Sequence, residues 1–278
     1  MKQIPTIVII AIFSLALITA SSQAFALTKL TMSGDFGGKS ASVKNLQNIA
    51  KEKACFIGLG DYMYDKHPGS NVNNVRLGDL WNDIVCKIGY PGNHELIRNQ
   101  EADWSAKTFK YGDLGYNSWK IRDIGIIGIN PYEDFDQGSD QYNFVKRKAT
   151  EFNAIRNDIN WVVFAVHEPL FTPTTIGGHG PNTDLRDTYL SIIKSIDKKG
   201  VLLVQAHNHI VALGTVNDIN MLVCGGGGYG NDQLGKLNGF EWGTDKMSYC
   251  VAEFNTNTVN AKVIDTNGAT IRNQVFTR

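Results

Sequence analysis

The stretch GLGDYMYD, Gly58 to Asp65, closes the apolar run ACFIGLG with a carboxylate, Asp61, and sets a phenol, Tyr64, three residues further on. An Asp at a strand end makes a turn by bonding to nearby backbone. Tyr64 is surplus to that turn, so the pair asks for a chemical reason. The same ending recurs along the chain. The run KLTMS (29–33) leads into Gly34-Asp35, and DIVCKIGYPG (83–92) leads into Asn93-His94. WVVFAV (161–166) leads into His167, and VLLVQA (201–206) into His207-Asn208-His209.

Between these runs lie amphipathic stretches. In SVKNLQNIAKEK (42–53), Val43, Leu46, Ile49 and Ala50 share one helical face. Residues 141–155 and 183–199 read as helices, the latter with Thr183 or Asp184 as N-cap. IGIIGIN (124–130) is a further strand, and from Val211 onward strand follows strand with Gly-rich turns. The pattern predicts an α/β chain with an antiparallel C-terminal part. CGGGGYG (224–230) lacks a following Lys-Ser/Thr, so it reads as a tight loop near the site and not as a nucleotide loop.

In open α/β sheets, ligand sites gather beyond the carboxyl ends of the strands. Any one Asp or Asn ending has a plain reading as a helix cap, and a lone His as a satisfied core residue. Five ligand-competent endings together point to a shared metal site. The donors are carboxylates, imidazoles, an amide and a phenol, with no thiolate, which excludes a structural zinc cage and iron–sulfur chemistry. So many imidazoles do not suit Ca²⁺. Seven donors exceed one tetrahedral ion and suit two cations bridged by a carboxylate.

The blocks GDFGG, GDYMY, GNHE, VFAVHEP and AHNH resemble those of the calcineurin-like metallophosphoesterases, and more closely the small, single-domain purple acid phosphatases. The resemblance covers nearly all of residues 27–278. It implies a four-layer α/β/β/α sandwich of two mixed sheets with a binuclear metal site at the strand C-terminal edge. By the same resemblance Asp61 bridges the metals. Asp35, Tyr64 and His209 complete the first site, which takes Fe(III). Asn93, His167 and His207 complete the second, which takes divalent Fe, Zn or Mn. His94 and His179 are the implied catalytic residues, His94 as general acid against attack by a metal-bound hydroxide. The wider superfamily has a His where Gly37 stands, and Tyr64 takes over its first-metal role. Three departures are present: Gly178 where the family has Glu before His179, Ala206 for Gly, and Asn208 for the common Asp.

The implied function is hydrolysis of small phosphate monoesters. The alternatives are a Mn or Zn phosphodiesterase or nucleotidase of the same superfamily, and a non-catalytic phosphate- or nucleotide-binding protein. No G-x-S-x-G is present, which disfavours a serine hydrolase. Residues 1–26, with Lys2, an apolar run and AFA, read as a secretory signal, the other reading being an uncleaved anchor. A secreted or cell-surface protein follows. The chain has 27 basic and 27 acidic residues, so nucleic-acid binding is not expected. Cys55, Cys86, Cys224 and Cys250 allow three disulfide pairings, and buried free thiols stand as an equal alternative. Among neighbours of the site, Tyr62 reads as packing or a pocket wall, Glu95 as a hydrogen-bonding or helix-start carboxylate, Glu168 as structural, and His67 as an exposed loop residue.

Overall fold

The computed structural model describes residues 27–64, 66–98, 101–173 and 179–278. The expected signal segment 1–26 and Gly178 lie outside them. Among the described residues, no helix is long and apolar enough to cross a membrane.

Two mixed sheets carry the fold. In the first, β1 (Thr28–Ser33), β2 (Cys55–Leu59) and β5 (Cys86–Tyr90) run parallel. On the other side of β1 lie the antiparallel strands β13 (Ser248–Phe254), β14 (Thr258–Asp265) and β15 (Thr270–Thr277). In the second, β7 (Ile124–Gly128), β8 (Trp161–Ala165), β9 (Gly200–Gln205) and β11 (Ile219–Cys224) are parallel. Antiparallel β6 (Asn117–Ile121), β10 (Val211–Val216) and β12 (Trp242–Thr244) complete it. A short hairpin, β3 (Asn71–Val72) with β4 (Val75–Arg76), stands apart.

The period-2 alternation of strand side chains explains why the runs are apolar throughout. Trp161, Val163 and Ala165 face the core between the sheets, while Val162 and Phe164 face the other way. Leu30, Met32, Ile57 and Ile88 of the first sheet meet Ile126, Val163, Leu202 and Leu222 of the second. Outside the second sheet pack α5 (Asp140–Asn153) and α6 (Thr183–Ile193), through Val145, Ala149, Tyr189 and Ile193. Outside the first pack α1 (Ser40–Lys51), α2 (Leu77–Asn82) and α4 (Ala102–Phe109), through Leu46, Trp81 and Phe109. The four layers are therefore α/β/β/α, as the resemblance implied.

Two expectations are corrected, and one strand is added. All four cysteines are paired, as Cys55–Cys86 and Cys224–Cys250, so none is a free thiol. Cys55 and Cys86 are register partners on neighbouring strands, and Cys224 and Cys250 tie one sheet to the other. The N-cap of α6 is Asn182, whose side chain accepts from the Leu185 N–H, one residue before the expected position. The edge strand β6 is not read from the sequence: only Trp119 and Ile121 of its five residues pack on the core, too short an apolar signal to mark a strand.

Candidate metal centre

Parallel strands from both sheets deliver their carboxyl ends to one rim. There the backbone turns hard. Asp35, Asp61 and His207 have φ of 64°, 53° and 68°, the left-handed region that non-glycine residues seldom adopt. Three such positions at one rim mark a site where local strain serves function. Close approach also demands glycine. A Cβ on Gly92 would stand 2.2 Å from Asp61 Oδ1, and one on Gly225 would stand 2.7 Å from Asp35 Oδ2. The glycine cluster is thus a tight loop against the site, as read. Its Gly227 N–H donates to Gly34 O, and the Tyr229 N–H to Asp35 O.

The rim gathers all seven expected metal ligands in two groups. In one, the Tyr64 hydroxyl lies 3.0 Å from Asp35 Oδ1 and 2.7 Å from His209 Nε2. In the other, His167 Nε2 lies 3.1 Å from both Asn93 Oδ1 and His207 Nδ1. Asp61 stands between them, with Oδ2 3.6 Å from His167 Nε2. Ligand atoms of Asp61, His167 and His207 fall within 4.8 Å of one another.

Two observations show that this arrangement fits cations. Asp61 Oδ2 is buried and has no hydrogen-bond partner, which a native protein rarely tolerates. His167 Nδ1 sits 2.6 Å from Leu59 O, so its proton is donated there and Nε2 keeps a lone pair. That lone pair converges with the Asn93 side-chain oxygen and His207 Nδ1, each 3.1 Å from Nε2, in a donor set that suits a cation.

Protonation follows the same logic. Burial, then the neighbouring imidazoles, hold His207 down at about 2. Burial is also the main cause that lowers His209, to about 4. Both rings therefore stay neutral and offer lone pairs. Burial, then the Asp61 charge, push Asp35 well up; burial, then Asp35 and Asp61, do the same to the Tyr64 phenol. Cations would reverse both effects.

Glu95 braces the Asp61 turn. Its carboxylate accepts from the N–H groups of Asp61, Tyr62 and Gly92, each at 2.8 Å. Burial, then Asp61, raise it to about 8. Tyr62 is packing: it stacks on Phe109 and donates to Tyr90 O. Glu168 accepts from Asn182, and His67 is exposed.

His94 and His179 line a cleft of about 190 Å³ beside the ligand groups, with Arg98 and Tyr229. The His94 N–H donates to Asp61 Oδ1 at 2.9 Å, and its Nε2 lies 3.9 Å from Asp61 Oδ2. His179 Nδ1 bonds Asp232 Oδ2 at 2.9 Å; that contact is the first cause of its raised pKa. A larger cavity of about 490 Å³, lined by Thr28, Asp123 and Asn160, lies at the opposite strand ends, away from these donors. Sequence reasoning missed Tyr229, Asp232 and Arg98. Tyr229 alone had a signal, its place in the glycine cluster, but nothing there gave the direction of its ring.

No family model matches the sequence. Probable purple acid phosphatase 20 of Arabidopsis thaliana is 26% identical over 163 residues, 51% of this chain and 36% of that protein. A purple acid phosphatase from yellow lupin seeds superposes with TM-score 0.74 at 14% identity, over 91% of this chain and 54% of that one. GAP50, the anchor in the inner membrane complex of Plasmodium, gives 0.65 at 14% identity over 91% and 89%. A dimetal phosphatase from Danio rerio gives 0.55 at 10% identity over 91% and 99%. The chain spans about a third of the curated relative and about half of the lupin protein. Its fold is that of the purple acid phosphatases and other calcineurin-like metallophosphoesterases.

Proposed function

We propose that this chain is an exported binuclear metal-dependent phosphatase that hydrolyses small phosphate monoesters. The observation that carries the reading is Asp61: a buried carboxylate with an unpartnered Oδ2, set between two clusters of oxygen and imidazole donors. Asp35, Tyr64 and His209 would hold one cation, Asn93, His167 and His207 the other, and Asp61 both. Tyr64 makes the first a hard-oxygen site suited to Fe(III), with a divalent ion in the second. When bound, the two cations supply Lewis acidity toward a phosphoryl group and a nucleophile at mild pH.

The residues of the chain do the rest. The bond from its own N–H to Asp61 keeps His94 beside the clusters. From there its imidazole donates a proton to the leaving alcohol oxygen as the P–O bond breaks. His179 and Arg98 add donors and positive charge on the cleft wall for the phosphate oxygens. Two disulfides support an oxidising, extracytoplasmic location, as the N-terminal segment suggests.

The test joins metal analysis, a visible spectrum and turnover of p-nitrophenyl phosphate against bis-p-nitrophenyl phosphate. We expect two metals per chain, a phenolate-to-iron absorption band and preference for the monoester. A colourless, fully metallated and active protein would remove the ferric assignment. Preference for the diester would favour a phosphodiesterase. Metal-loaded protein that cleaves neither ester across acidic to alkaline pH would leave a binding protein.

A further inference from the structure

Asp232 belongs to none of the blocks that carry the resemblance. Its Oδ2 accepts two hydrogen bonds, one from His179 Nδ1 at 2.9 Å and one from the backbone N–H of His209 at 2.9 Å. The Asp232 N–H returns a bond to His209 O at 3.3 Å. One side chain is therefore tied both to the cleft imidazole and to the strand end that carries His207 and His209. Asn208 adds another tie, because its side-chain amide donates to His179 O. An Asp there, the residue common in the resembled motif, has no such donor when ionised.

The chemistry of the contact sets the proton. An ionised carboxylate only accepts, so His179 must carry its proton on Nδ1, and Nε2 is the nitrogen left for the cleft. The Asp232 side chain is 12% exposed and that of His179 29%, so water competes only in part for this charge-assisted bond. The departure at Gly178 removes the carboxylate that the resemblance places before His179. Asp232 brings a carboxylate to the same imidazole from a distant part of the chain.

We propose that Asp232 is the positioning residue for His179, holding the ring by its Nδ1–H so that Nε2 points into the cleft, where the charged ring donates to an oxygen of the phosphate ester. The inference rests on the phosphatase reading above. In Asp232→Ala both bonds to Oδ2 are lost, and the neutral His179 ring is free to carry its proton on either nitrogen. We expect kcat/KM of this variant on p-nitrophenyl phosphate to fall roughly 10- to 100-fold, the usual range for such orienting partners, with metal content unchanged. Asp232→Asn, whose amide oxygen in the Oδ2 place can keep both bonds, should lose less. In a His179→Ala background Asp232→Ala should cost nothing further, since the two residues act as one unit. Unchanged kcat/KM in Asp232→Ala would overturn the proposal. So would an equal loss in both backgrounds, with metal lost, because Asp232 would then act through His209. If the wild type cleaves no phosphate ester, the phosphatase reading fails, and ¹⁵N-histidine spectra of zinc-loaded protein decide this point. A His179 proton held on Nδ1 in the wild type and shared between Nδ1 and Nε2 in Asp232→Ala supports the positioning. The same tautomer in both overturns it.

Discussion

Tyr229 lies flat on Tyr64, with ring centroids 3.6 Å apart and planes 3° from parallel. The ring fills space that Gly37 leaves open: a Cβ on Gly37 would stand 2.5 Å from Tyr229 Cδ2. Lys39 Nζ sits 4.9 Å over the far ring. The absent side chain at 37 and the phenol at 64 are thus joined by a third residue. Tyr229→Phe should keep the stack, the visible band and the iron. Tyr229→Ala should loosen the phenol and weaken iron retention by up to about tenfold, since an aromatic pair contributes roughly 0.5–1.5 kcal/mol. Chelator competition on purified protein measures it, and Tyr64→Phe, which should abolish the band, is the reference.

On the proposed reading, His94 should separate catalysis from metal binding. Its tie to Asp61 runs through the backbone N–H, which alanine retains. His94→Ala should therefore keep both metals while kcat falls about 10²–10⁴-fold. Equal loss of metal and turnover would make His94 structural or a ligand.

The metal-free protein should show a pH-dependent stability set by Glu95. Its folded-state pKa of about 8 lies above the ordinary 4.5, so the folded state binds the proton more tightly. Stability then falls as pH rises between these values. His207 and His209 act oppositely, being lowered from 6.5, and their effect is complete above that pH. From pH 6.5 to about 8 the effects of His207 and His209 are complete, and Glu95 should make stability decline by at most about 1.4 kcal/mol per pH unit, with Asp35 and His179, also raised, acting in the same direction. Denaturant melts in EDTA should show this decline in the wild type and a flatter profile in Glu95→Gln.

The two disulfides should differ in what they protect. Cys224 O accepts from the Gly34 N–H at 2.9 Å, at the start of the Asp35 turn, so the Cys224–Cys250 bridge is continuous with the site. Cys55 and Cys86 begin their strands, at the far end. Replacing either pair by alanine should cost roughly 2–4 kcal/mol. Only loss of Cys224–Cys250 should also weaken metal retention. Thermal melts with and without metal distinguish the two.

Much of this was legible in the chain. The runs ACFIGLG and WVVFAV are buried on both faces, so they must be strands of a covered sheet, and the polar residue that stops each sits at the sheet's rim. The seven donors were readable because each is fastened to a strand end by local sequence. Short α2 and α4 and the edge strand β6 were not, because their order comes from packing against the first sheet and from pairing with β7.

What sequence alone determined is therefore the α/β class, the strand ends and which polar residues reach the rim, all properties of residues close along the chain. The folded structure decided the rest. It chose one cysteine pairing out of three by aligning Cys55 with Cys86 and stacking Cys224 on Cys250. It also brought Tyr229 and Asp232 onto Tyr64 and His179, across separations over which spacing carries no directional information. Contacts of that kind depend on where two sheets meet, and only tertiary packing sets that.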